Sequence, residues 1–312
     1  CQYIVKLFKD NTQNKISVDS IMDLSKILRE KRSHLTNNSI KTYKSVLNNI
    51  WRRAYDKDEE MTMDKFNNVD HILSCLVDEP INTRKTKLAA LVVLTDNKKY
   101  YEPMMNDNKV LKTQMLKQEK NEKQIENMIS MDQVDNIYKN LEAHAKLYLS
   151  KNNLSSTEIN EIQKWILVSL TSGLFIAPRR SADWNMKWKN YDEDKDNYVD
   201  IKNSQFVFNS YKTVKIYGKV KVDIPKNLKL ILNKWFKINP SDFVLFDTKL
   251  KGLTSPQIAH RLNEIFNQNI STSILRHIYL THKFGDINLQ DLNDTAAAMG
   301  TSKMEALQYV KH

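Results

Sequence analysis

Five glycines and six prolines in 312 residues leave this chain few places to turn sharply. A sequence so poor in punctuation is committed to long helices with a limited amount of sheet. Its front part agrees. From Val18 to Leu94 the apolar residues recur at helical spacing, as Ile21, Leu24, Ile27 and Leu28, then Ile40, Tyr43, Val46, Leu47, Ile50 and Trp51. Thr36-Asn37-Asn38-Ser39 supplies cap residues ahead of the second helix. The outer face of that helix carries Lys41, Lys44, Arg52 and Arg53, either a surface for a polyanion or the solvated side of a lysine-rich helix.

Further along, residues 106–127 are mostly polar and lack Gly and Pro, and read as an extended or partly helical linker. A boundary there gives an N-terminal extension over 1–17, a helical domain over 18–105 and a second domain over 128–312. In the second domain Val134, Ile137, Tyr138 and Leu141, then Ile159, Ile162, Trp165, Ile166 and Leu170, mark the apolar seams of two helices. Strand character follows at Tyr198, Val199 and Ile201, at Phe206 to Phe208, and at Val214, Ile216, Val220, Val222 and Ile224, which predicts a small antiparallel sheet. Helices are expected again at Leu228 to Phe236, at Pro256 to Phe266 after Thr254-Ser255, and at Ile274 to Phe284 after Ser271 to Ser273, with Gly285 as the stop. The fold class expected is mainly α with a small antiparallel sheet in the second domain, an α+β arrangement.

Charge and cysteine content narrow the partners. Lys and Arg outnumber Asp and Glu by 48 to 37, a formal net charge of +11 that favours a polyanion, nucleic acid first. Two cysteines, Cys1 and Cys75, provide neither a disulfide framework nor a cysteine-rich zinc site, and fit a reducing, intracellular compartment. The most apolar stretch, Trp165 to Pro178, is too short to span a bilayer. A start at Cys1 and an end soon after Tyr309 read as an excised fragment.

Two clusters carry chemistry. The first is Leu275-Arg276-His277-Ile278-Tyr279-Leu280-Thr281-His282, followed by Phe284-Gly285, then Ala296-Ala297-Ala298-Met299-Gly300, then Tyr309. The second is Thr171-Ser172-Gly173-Leu174 followed by Pro178-Arg179-Arg180-Ser181-Ala182-Asp183-Trp184. In this order they resemble the two arginine boxes and the nucleophile of the tyrosine recombinases, the phage integrase family. The resemblance covers Ile129 to Tyr309 by motif, and the front half as a helical DNA-binding module.

The resemblance implies a two-domain clamp on double-stranded DNA, with Arg180 and Arg276 holding the scissile phosphate and Tyr309 attacking it to give a 3′-phosphotyrosine. An arginine fork donates parallel hydrogen bonds and keeps its charge when buried, which suits that task. Arg180 is preferred because the family's first arginine is trailed three residues later by an acidic residue, which here pairs Arg180 with Asp183 at helical spacing; Arg179 is held in reserve because the residues from Phe175 to Pro178 allow a slip of one. The general acid of the family sits on a hairpin between the boxes, which points to Lys212 in Tyr211-Lys212-Thr213, with Lys219 beside Gly218 as the alternative. His277 and His282 are expected to be packed helix residues. Ser273 and Thr301 stand where the family has His or Lys and His or Trp; each retains a hydroxyl for a phosphate oxygen. Lys41, Lys44, Arg52 and Arg53 become DNA contacts, no metal or cofactor is required, and four protomers act on two sites. Lysine- and asparagine-rich composition suggests an A+T-rich viral or mobile element. The same chemistry serves type IB topoisomerases and telomere resolvases, and a catalytically inactive DNA-binding relative is the further alternative.

Overall fold

The computed structural model describes residues 22–116, 120–284 and 289–310. The expected extension over 1–17 and the stop at Gly285 lie outside them. By compactness the chain divides into Cys1–Leu116 and Lys117–His312, each with its own core.

The first unit is helical throughout its described part: α1 (Leu24–Lys31), α2 (Asn37–Ala54), the short α3 (Met63–Phe66) and α4 (Val69–Ser74), α5 (Ile81–Thr95) and α6 (Lys98–Leu116). Thr36 caps α2 as expected, its Oγ1 accepting from the Ser39 amide at 3.1 Å. Leu28, Leu47, Ile50, Phe66, Leu88 and Leu91 are among the side chains that close the core. Tyr100 donates from inside it to the Phe66 carbonyl at 2.7 Å. Asp96, left-handed at the end of α5, holds Lys31 and Arg32 at 2.7 Å each and so ties α1 to α5. The polar stretch after residue 106 begins as the last turns of α6, where Asp107 is buried and takes a two-pronged contact from Arg84 at 2.6 and 2.9 Å.

The second unit opens with α7 (Glu122–Asn127), followed by α8 (Met131–Leu149) and α9 (Ser156–Thr171), each started by a reciprocal capping box. A 3-10 turn, Ser181–Trp184, leads to β1 (Met186–Lys187), β2 (Asn197–Asp200) and β3 (Gln205–Phe208). Then come α10 (Val214–Tyr217), β4 (Val220–Asp223), α11 (Lys226–Ile238), α12 (Ser255–Phe266), α13 (Thr272–Lys283), α14 (Leu289–Ala298) and α15 (Lys303–Leu307). Strand order is β1-β2-β3-β4. Tyr198 faces Val207 and Phe206 faces Val222 in antiparallel register, but Met186 pairs with Asn197 in parallel, so the sheet is mixed rather than antiparallel. Val214 and Ile216 belong to a helical turn and not to a strand. Tyr211 donates to the Gly218 carbonyl at 2.7 Å, and Gly218, at φ +66°, reverses the chain into β4.

Trp165, Trp184 and Trp235 fill the main core between α9, the sheet and α11. A separate small core of Leu280, Phe284, Leu292, Ala296, Met299, Ala306 and Val310 seats the C-terminal helices on the back of α13, with Tyr309 packed at its margin. Among the described residues no helix is long and apolar enough to cross a membrane.

Candidate active site

Arg276 lies in the middle of α13, 2% exposed. One guanidinium nitrogen, Nη1, donates to the Tyr309 hydroxyl at 2.5 Å, and the guanidinium carbon sits 4.1 Å from the centre of the Tyr309 ring. Its Nε and Nη2 have no hydrogen-bond partner among the described residues. Burial pushes the Arg276 pKa down and the Arg180 charge adds to that, while Tyr309 and Glu305 oppose it. A guanidinium still holds its proton there. A buried cation with two unused donors calls for an anion.

Arg180 is the N-cap of the 3-10 turn, with extended backbone at ψ 151°. Consecutive side chains on extended backbone diverge, and the two arginines part accordingly. Arg180 reaches the C-terminal segment, donating from Nη1 to the Gly300 carbonyl and from Nη2 to Glu305 Oε1, each at 3.2 Å. Arg179 turns inward, where its Nε donates to Asp183 Oδ2 at 3.0 Å, its Nη1 to the Ala298 carbonyl at 2.7 Å, and its guanidinium lies 3.8 Å from the Phe208 ring centre. The expected partnership of Arg180 with Asp183 is therefore corrected: Asp183 belongs to Arg179, because residue 180 is extended rather than helical. Both members of that pair are buried, and burial works against both charges, lowering the Arg179 pKa and raising that of Asp183.

Asn197 pins this turn to the sheet, a role invisible in the sequence. Its Nδ2 donates to the carbonyls of Asp183 and Ser210 at 3.0 and 2.9 Å, and its Oδ1 accepts from the amides of Asn209 and Ser210 at 2.9 and 2.8 Å.

Gly300 joins the parts. It has φ +64°, and a Cβ there would come within 2.9 Å of Arg179 Nη2. Its carbonyl accepts from Thr213 Oγ1 at 2.7 Å as well as from Arg180. The Thr213 contact brings the loop after β3 to the same place. Lys212, next to Thr213, is exposed. Lys219 points elsewhere, donating to the Glu193 carbonyl at 3.0 Å and lying 6.0 Å from the Tyr198 ring centre.

Of the remaining residues singled out in the sequence, Thr301 is buried beside Gly300, and its Oγ1 has no partner among the described residues. Ser273 is exposed in the first turn of α13. His277 is half-buried against Tyr309, with ring centres 4.6 Å apart. His282 is exposed rather than packed in a core. In the other unit Lys41, Lys44, Arg52 and Arg53 are all exposed on α2. Lys41, Lys44 and Arg52 share a face, since eleven residues make about three turns. Arg53 is rotated away and bound to Glu79, which also takes Lys87 at 2.6 Å.

No family profile matches this chain, and no curated protein matches it. Solved structures do. A lambda integrase tetramer bound to a Holliday junction shares 14% identity, with 99% of this chain and 84% of that one covered at a TM-score of 0.52. A lambda integrase fragment, in a dimer bound to a COC' core site, shares 16% identity over 91% and 92% of the two chains at a TM-score of 0.51. The chain has the fold of the tyrosine recombinases.

Proposed function

We propose that this protein is a site-specific DNA recombinase or integrase that cleaves and rejoins DNA through a 3′-phosphotyrosine at Tyr309. The observation that carries the reading is the Arg276–Tyr309 contact, a phenol held at 2.5 Å by a buried guanidinium that keeps two donors in reserve. With DNA bound, Nε and Nη2 of Arg276 and the fork of Arg180 take the non-bridging oxygens of the scissile phosphate. The Tyr309 oxygen attacks phosphorus, its proton leaving to solvent. The bond to the 5′ oxygen breaks as Lys212 gives that oxygen a proton. Thr301 adds a hydroxyl to the phosphate from beside Gly300. The ester conserves the phosphodiester bond energy, so a 5′ hydroxyl from a partner strand reverses the step with no cofactor.

Within the first unit, residues 18–105 serve as the core-binding domain, placing Lys41, Lys44 and Arg52 on phosphates, and 128–312 is the catalytic domain. An excess of basic residues, 48 against 37 acidic, supports a duplex partner. Action at DNA by four protomers on two sites completes the reading.

Trapping tests it. Duplexes selected for binding this protein, nicked so that the cleaved end diffuses away, are incubated with the chain and with Tyr309→Phe and resolved on denaturing gels. An adduct formed by the first and lost in the second supports the reading. Tight binding without an adduct overturns it in favour of an inactive DNA-binding relative. Relaxation of supercoiled DNA without strand exchange assigns the topoisomerase alternative.

A further inference from the structure

Two consecutive residues of α13 grip opposite ends of Tyr309. Arg276 takes the phenol hydroxyl, and His277 Nδ1 lies 2.7 Å from the backbone carbonyl of the same tyrosine. On its other side His277 Nε2 lies 3.1 Å from Gln124 Nε2, and Gln124 is a buried residue of α7.

The hydrogen-bond directions are fixed by what each atom can do. Gln124 Oε1 already accepts from the Asn121 amide at 3.0 Å, within the capping box that starts α7. Turning the side-chain amide over would set an NH2 group against that N–H, so Gln124 presents its nitrogen to His277. An amide nitrogen only donates. His277 Nε2 is therefore the acceptor, Nδ1 carries the proton, and that proton goes to the Tyr309 carbonyl. The platform is anchored independently, because Asn127 at the end of α7 accepts from the Asn269 amide at 2.9 Å, just ahead of α13.

We infer that Gln124 and His277 are positioning residues for the nucleophile: they hold the backbone of Tyr309 so that its phenol is delivered to Arg276. This rests on the reading of Tyr309 as nucleophile. Gln124 reaches His277 and His277 reaches the Tyr309 carbonyl, so both act through the tyrosine. Tyr309 lies in a turn past α15, where its amide donates to the Ala306 carbonyl at 3.0 Å and, among the described residues, His277 holds its carbonyl end.

The test combines two readouts on the full chain. The first is 19F NMR of 3-fluorotyrosine placed at 309, without DNA. The second is the rate of adduct formation on the nicked duplex, measured beside the Kd for uncleavable duplex. His277→Phe keeps the ring and loses the donor; His277→Asn puts an amide nitrogen where Nδ1 was. Expected for His277→Phe is a shifted, averaged fluorine signal and an adduct rate lowered by about tenfold or more, with Kd unchanged, as for a lost orienting contact. His277→Asn restores both, and Gln124→Leu falls between. Should His277→Phe not fold, the contrast between Gln124→Leu and His277→Asn decides. Signals and rates unchanged in every variant, or a loss that Asn does not restore, overturn the inference. If the unsubstituted protein forms no adduct, the enzymatic reading fails while the fluorine signal still decides whether the pair holds Tyr309.

Discussion

Oε1 of Glu305 lies 3.2 Å from Nη2 of Arg180, so a carboxylate of the chain itself occupies one arm of the fork that the proposed reaction gives to phosphate. Glu305 also acts on Arg276 through space. It sits four residues before Tyr309 on the short α15, capped by Ser302. A phosphate entering the proposed site meets that carboxylate, and the two negative charges repel.

Glu305→Gln removes the like-charge repulsion toward DNA and leaves the shape. DNA affinity rises roughly threefold to tenfold at low ionic strength, and the gain shrinks as salt is added, because the side chain is partly exposed and its charge is screened. Fluorescence anisotropy across a salt series checks this. Equal affinities at every salt concentration would show that Glu305 does not compete with phosphate.

Arg276→Lys keeps the charge and gives up the fork. The adduct rate falls by about a hundredfold to a thousandfold, the scale of losing a preorganised donor to a reacting oxyanion. Single-turnover trapping at saturating protein measures it; a loss confined to binding, with the rate intact, contradicts the assignment.

Lys212 and Lys219 are told apart by the leaving group. Lys212→Ala lowers the cleavage rate about a hundredfold on an ordinary phosphodiester. A duplex with sulfur in place of the scissile 5′ oxygen restores it, since a thiolate leaves without a proton. Lys219→Ala, at a residue tied to the Glu193 carbonyl, leaves both substrates unaffected. Reversal of the two patterns moves the acid to Lys219.

Arg179→Met leaves Asp183 buried without its cation and destabilises the second unit by about 3–5 kcal/mol. Adding Asp183→Leu recovers most of that loss, because a buried pair replaced by apolar groups is close to neutral. Urea unfolding of the unsubstituted chain and the two variants gives the comparison, and equal losses in the single and double variants refute the pairing.

A pH effect resides in the capping box of α9. Glu158, held by Lys151 and then by the Ser155 amide and hydroxyl, has its pKa pulled from 4.5 to about 2. A carboxyl with a lowered folded-state pKa stabilises the fold above pH 4.5, and the contribution disappears as pH falls toward 2. The Tm difference between the unsubstituted chain and Glu158→Gln is therefore positive at pH 6 and close to zero near pH 2. A difference that does not change with pH contradicts the assignment.

Helices were legible because their signals are local. Thr36 and Ser271 start α2 and α13 where the sequence places caps, and the apolar seams of α8 and α9 face the core. The failures have long-range causes. Val214 to Tyr217 has strand-like composition but is held as a helical turn between Tyr211 and Gly218, with Thr213 drawn to Gly300, 87 residues away. Two-residue β1 has no period to read, so the parallel pairing that makes the sheet mixed was hidden. Assuming helical backbone from Arg180 onward gave Asp183 to the wrong arginine. Glu305 and Gln124 carried no motif at all. Their partners, Arg180 and His277, are 125 and 153 residues distant, and only the fold brings them together.

The Gly300 carbonyl, shared by Arg180 and Thr213, sets a limit on how this protein can be re-engineered or can diverge. The arginine turn, the lysine loop and the glycine step are soldered at one oxygen, so none of the three can be transplanted from a homologue by itself. A chimaera that exchanges the loop around Lys212 to alter the proposed acid inherits a misfit unless the segments around Arg180 and Gly300 come with it, and sequence change at the three places is expected to travel as a block.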